Sequence, residues 1–166
     1  MRRLLILIIS LIAVALSVNR AYAVEIDLDA DPYIPNGWAV VSHEKGGNFL
    51  WNPAQMKFYV AKGQKDGKEI DGTDLLKELK GQRPFNANLL DFLFANQRLI
   101  PESLKKKTTG YDTYIFFWGT VYRHPDGYSY VRYLSWGDTW TIGWRWGSRW
   151  IGLEWNERYP AAVRKK

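Results

Sequence analysis

YDTYIFFWGTVYRHPDGYSYVRYLSWGDTWTIGWRWGSRWIGLEW, residues 111–155, is the stretch around which this chain is organised. It holds seven of the nine tryptophans and alternates them with glycines. Cut at His124-Pro125-Asp126-Gly127, at Gly137-Asp138 and at Gly147-Ser148, it falls into four runs of strand length, each rich in aromatic and β-branched residues. Two-residue Gly-Asp and Gly-Ser links suit hairpin turns, because glycine tolerates the positive φ such turns demand. The spacing predicts an antiparallel Trp/Tyr-rich β-meander of four strands.

Alternation assigns the faces. In the second run Tyr128, Tyr130, Arg132, Leu134 and Trp136 share one face; in the third, Trp140, Ile142, Trp144 and Trp146 do. The first run, Tyr114 to Tyr122, is apolar on both faces, which fits a central strand or one covered on both sides. An uncovered strand this apolar would pair with other molecules, so the fold must bury it.

Upstream, the chain opens with Met1-Arg2-Arg3, an apolar run from Leu4 to Leu16, and Ala21-Tyr22-Ala23. That order of charged, apolar and small-residue regions is a secretory signal peptide over residues 1–23, and its apolar run is shorter than the roughly 20 residues that span a bilayer. Cleavage after Ala23 would leave 143 of the 166 residues, one domain's worth. The expected location is therefore outside the cytoplasm, in the periplasm, envelope or medium, with no transmembrane segment in the mature chain. With no cysteine, the chain has no disulfides, thiolate chemistry or Cys-based metal sites, and the domain must rest on its core. The formal charge of +6 misleads. Arg2, Arg3 and Arg20 leave with the signal, and Arg164, Lys165 and Lys166 read as a solvated tail, so the body is near neutral and is not a nucleic-acid binder.

Residues 24–36 alternate acids with small residues around Pro32 and Pro35 and read as an extended leader; the domain runs over residues 37–166. Met56 to Lys62 reads as a strand that a turn at Asp66-Gly67 returns to Lys68 through Ile70, a short amino-terminal hairpin. Asp71 or Thr73 caps a helix that Gly81 ends, with Leu75, Leu76 and Leu79 as its buried stripe. Asn86 or Asn88 caps a second, with Leu89, Leu90, Leu93 and Phe94 at helical spacing, and Pro101 opens a further turn through Leu104. The order predicts an α+β domain, its two or three short helices packed on one face of an antiparallel sheet.

Taken together, GGNFLWNPAQMKFYV, GKEIDGTDLLKEL, NANLLDFLFANQRLIPESLK, YIFFWGTVYR, VRYLSW and PAAVR, in that order over about Gly46 to Arg164, resemble an uncharacterised family of small bacterial proteins frequent in candidate-phylum genomes. The resemblance implies a grouping and no activity, cofactor or site residue.

The chemistry-bearing residues are sparse. His43 and His124 are the only histidines, too few for a zinc site without distant carboxylates, and His124 reads as a solvated turn residue. There is no P-loop, dinucleotide fingerprint, His-Glu-x-x-His or Gly-x-Ser-x-Gly, so no metal or cofactor is expected. A hydrolase would need acids such as Asp91, Asp112, Asp138, Glu154 and Glu157 to converge in the fold, with His124 a further candidate, and spacing selects no pair. What remains is the aromatic face. Trp150, Trp136, Trp140, Arg145 and Arg149 are the candidate ligand-binding residues, flat indoles with polar neighbours suited to a sugar ring or a protein partner. Trp144 is expected in the core and Trp150 as the more exposed ring. The sequence thus predicts an exported, non-enzymatic binding module for envelope polysaccharide or a protein partner; the alternative is an envelope-associated hydrolase.

Overall fold

The computed structural model describes residues 24–105, 113–137 and 142–166. The expected signal peptide (1–23), Asp112, Asp138 and Trp140 lie outside the described residues. Within them the chain is α+β, with two α-helices and ten strands in three sheets.

The first aromatic run is β6 (Thr113–Arg123) and the second is β7 (Ser129–Gly137). They are joined where the sequence places a turn: Gly127 has φ +86° and donates to the His124 carbonyl at 2.9 Å. The third run is β8 (Gly143–Trp150), antiparallel to β7 with Trp136 opposite Trp144 and Tyr130 opposite Trp150. Two expectations fail on β8. Ile142 lies outside the strand and is 77% exposed. Gly147-Ser148 is no turn but strand interior, Gly147 opposite Tyr133 and Ser148 opposite Arg132. A Cβ on Gly147 would lie 2.5 Å from the Tyr133 hydroxyl oxygen, so this glycine admits a crossing ring and does not reverse the chain.

The fourth run does not extend the meander. Its β9 (Glu154–Trp155) pairs instead with β5 (Ile70–Asp71) in a separate ribbon. The amino-terminal hairpin is likewise replaced: β4 (Met56–Tyr59) pairs with β10 (Ala161–Arg164), which lies parallel to β6 at Ala161 and Phe116. The Asp66-Gly67 turn does form, both residues at positive φ, but it delivers the chain to β9. The main sheet runs β4-β10-β6-β7-β8, with β2 (Ala39–His43) on the far half of β6, and is therefore mixed and not purely antiparallel. As its apolarity requires, β6 is central. Its edge away from β7 carries β10 at Phe116 and β2 at Thr120 to Arg123, and the β6/β7 register shifts between Phe117 and Val121.

Part of the expected leader is drawn into the core: Ile26 and Leu28 are buried, while most of residues 24–36 stay exposed. β1 (Glu25–Asp27) pairs with β3 (Asn48–Leu50), and Ile26 and Leu28 are buried against Phe49 and the second helix. The apolar residues of this segment fall at alternate positions between acids, a strand pattern that the prolines obscure.

Helix α1 (Gly72–Leu79) is capped by Asp71, whose Oδ1 accepts from Thr73 N at 2.7 Å, and α2 (Ala87–Ala95) by Asn86. They cover opposite faces of the sheet and not one. Leu89, Leu90 and Leu93 of α2 pack with Ile115, Phe117, Leu134 and Trp144; Leu75 and Leu79 of α1 pack with Phe116, Trp118, Val131 and Trp155. Doubly covered, a strand such as β6 must be apolar on both faces. The start of α1 touches the β8–β9 link closely. A Cβ on Gly72 would lie 2.1 Å from the Ile151 carbonyl oxygen, which also accepts from Trp155 Nε1 at 3.1 Å. Gly72→Ala is therefore expected to lower stability by roughly 2 kcal/mol, as overpacking of a rigid core does, and a urea midpoint equal to that of the parent would refute this docking.

Candidate functional site

Strands β6, β7 and β8 and the segment after β9 together form a cleft of about 440 Å³ lined by Tyr114, Phe116, Tyr130, Tyr133, Ser148, Arg149, Trp150, Leu153 and Tyr159. Its floor is a mesh of rings: Tyr114 meets Tyr133 at 5.3 Å and Tyr159 at 5.9 Å edge to face, and Phe116 lies tilted against Tyr133 at 5.0 Å. Such pairs hold one another without stacking face to face, so each presents an edge or hydroxyl to the opening.

Arg149 supplies the charge. Its guanidinium lies 4.3 Å over Tyr159 and 5.1 Å from Trp155, and Nη2 donates to the Glu154 carbonyl at 2.9 Å. Its Nε is buried without a protein partner. Stacked on two rings, the guanidinium is fixed in orientation and retains unused hydrogen-bonding capacity. Burial pushes the Tyr133 phenol above its ordinary value, with nearby Tyr114 acting the same way and Arg145 and Arg149 opposing. Its hydroxyl is therefore a neutral donor at physiological pH.

Of the five predicted residues, the fold brings Arg149 and Trp150 into this cleft. Arg145 is exposed on the same side of β8 as Arg149 and acts on Tyr133 through its charge. Trp136 belongs elsewhere. It packs on the α2 side of the sheet, 5.5 Å from Trp144 and under the Lys105 ammonium at 4.2 Å. Trp136 and Trp150 stand at opposite ends of the β7–β8 ladder, opposite Trp144 and Tyr130 respectively, so the two rings do not meet in one platform. Trp140 lies outside the described residues. Trp150 itself is half-buried, 4.9 Å from Tyr128, and lies over Gly152, where a Cβ would come within 2.6 Å of the indole.

Sequence reasoning missed the tyrosines. Tyr133 had a readable sign, a mid-strand glycine at the position opposite, but nothing local announces that Tyr159 returns from beyond β9. The hydrolytic candidates are dispersed: Asp91 pairs with Arg132, His124 with Asp126 at 2.9 Å, and Glu154 shares a hydrogen bond with Glu69. That bond, with the adjoining Glu69 charge, raises the Glu154 carboxyl above its usual range, whereas bonds from Glu154 and Asn156 lower Glu69. Among the described residues, the aromatic cleft is lined by none of Asp91, Glu154 and His124.

Three comparisons bear on identity. No protein-family model, no curated protein and no solved structure matches this chain. Among the described residues, no helix is long and apolar enough to cross a membrane.

Proposed function

We propose that this chain is an exported, non-enzymatic binding module whose ligand seats in the Tyr114–Trp150–Tyr159 cleft, with envelope polysaccharide as the ligand class. The reading rests on one observation above all: six aromatic rings converge with a ring-stacked arginine around an open cavity of about 440 Å³. Flat rings accept the apolar C–H faces of a pyranose, while phenols, Ser148 and a guanidinium meet its hydroxyls. A hydrolase would need carboxylates facing the bound ring, and among the described residues none lines this cleft.

Trp150→Ala separates binding from folding. The half-buried ring rests on Tyr128 and Gly152, so its loss is expected to cost about 1 kcal/mol of stability. Binding of envelope polysaccharide fragments, measured by calorimetry, is expected to fall by about 2 kcal/mol, roughly thirtyfold. Undiminished binding by a folded Trp150→Ala variant would rule out this cleft. If no fragment binds the parent protein, the polysaccharide class is wrong.

A further inference from the structure

A second cleft, of about 190 Å³, shares no residue with the first and is lined by Leu28, Glu44, Lys45, Gly46, Arg83, Pro84, Phe85, Asn86 and Arg164. We propose that it is an oxyanion site that takes a phosphate group. Three cationic residues from three separate segments line it: Lys45 from the loop after β2, Arg83 from the link before α2, and Arg164 from β10. None of them forms an ion pair among the described residues. Glu44 is the one acid in the lining, and desolvation raises its carboxyl above the usual range against the opposing charge of Lys80. In a body whose charges otherwise nearly cancel, three cations around one opening with a single carboxylate make a local positive field.

Arg164 was expected in a solvated tail. Instead its backbone lies in β10, its guanidinium stacks 4.8 Å over Phe49, and Nη1 approaches the Gly46 carbonyl at 3.4 Å. The Arg83 backbone is as firmly held. Its carbonyl accepts from Arg164 N at 2.9 Å, Phe85 N donates to Ala162, and Gly119 N donates to Phe85, so the link is pinned to both β10 and β6. A Cβ on Gly119 would lie 2.8 Å from the Pro84 carbonyl oxygen, which shows how closely the link is seated. Arg83 sits at φ +58°, a conformation uncommon for a non-glycine residue. The loop wall is fixed too, because Asp29 Oδ1 accepts from Gly46 N and Gly47 N at 2.9 and 2.8 Å and Lys45 Nζ donates to the Asp29 carbonyl.

The geometry favours phosphate over carboxylate. Donors arriving from three segments match an anion whose oxygens point in several directions, whereas a carboxylate offers its acceptors in one plane. The chemistry is common to free inorganic phosphate and to a phosphodiester in an envelope polymer, and the test separates them. The protein is titrated calorimetrically at low salt with inorganic phosphate and, in parallel, with a short glycerol phosphate oligomer. Saturable binding of at least one probe is expected. Arg83→Asn, which keeps a residue tolerant of positive φ, should weaken it about tenfold, the effect of one lost charge-assisted hydrogen bond. Lys45→Ala, on the exposed loop, should give a comparable loss, while Lys62→Ala, outside the cleft lining, should give none. Tighter binding of the oligomer assigns the site to a polymer, and equal or tighter binding of inorganic phosphate assigns it to the free ion. Failure of both probes to saturate, or equal weakening by Lys62→Ala, overturns the proposal. Either result leaves the aromatic-cleft reading untouched, because Trp150 lies outside this cleft.

Discussion

Trp144→Ala is expected to lower the unfolding free energy by roughly 3 to 5 kcal/mol, which rivals the whole stability of a small domain. Trp144 is 4% exposed and packs with Leu89, Leu90 and Leu93 of α2, and its ring meets Trp136 at 5.5 Å in a T-shaped arrangement. Truncation would leave a cavity between helix and sheet that neither can close without breaking the β7–β8 register. Its Nε1 is buried without a hydrogen-bond partner, so part of what the indole contributes by packing is offset by an unmet donor. Trp144→Phe is therefore expected to cost about 1 kcal/mol only, because it removes that donor while retaining most of the ring. Urea midpoints read at unchanged slope separate the two variants. A Trp144→Ala protein as stable as the parent would show that α2 does not rest on this face.

The second large effect lies on the same face, at Arg132, which is 1% exposed. Its Nη1 and Nη2 donate to the two Asp91 carboxylate oxygens at 3.0 and 2.7 Å, and the guanidinium lies 4.5 Å from the Trp146 ring and 5.5 Å from that of Tyr33. Burial works against its charge, but the hydrogen bonds and charge of Asp91 outweigh this and hold the group more firmly protonated than usual. Asp91→Ala would leave that charge without a counter-ion and is expected to cost roughly 3 kcal/mol. The lower end of the usual range applies, because the Asp91 side chain is 30% exposed and water can partly replace it. Adding Arg132→Met to Asp91→Ala should restore most of the loss, since a buried pair is costly to break but not costly to replace. If the double variant is less stable than Asp91→Ala alone, the ion pair is not the source of the effect.

Several elements were legible because their signals are local. Asp71 and Asn86 cap the helices that their positions suggest, Gly127 turns β6 into β7, and the period of two puts Leu134 and Trp136 on one face with Arg132. Each rests on a few neighbouring residues and one rule of backbone geometry. The failures share a different cause. Ladder hydrogen bonds are made by backbone groups that are the same in every strand, so nothing in Met56–Tyr59 names Ala161–Arg164 as its partner, and closing a longer loop adds little to the entropy cost. The proposed clefts are of this second kind: Tyr159 and Arg149 meet only because β9 leaves the sheet, and Arg83 and Arg164 only because β10 returns beside the link before α2.

By itself, then, the sequence determined an aromatic α+β domain whose apolar run from Tyr114 to Tyr122 had to be buried in the sheet, since that run is unstable if left uncovered. It also determined that Arg132, Leu134 and Trp136 share a face of β7. Only the tertiary structure decided which face each helix covers, which strands pair across the chain, and which rings and cations surround an opening. Those outcomes depend on burying two apolar sheet faces at once, a condition satisfied by the whole chain and by no segment of it.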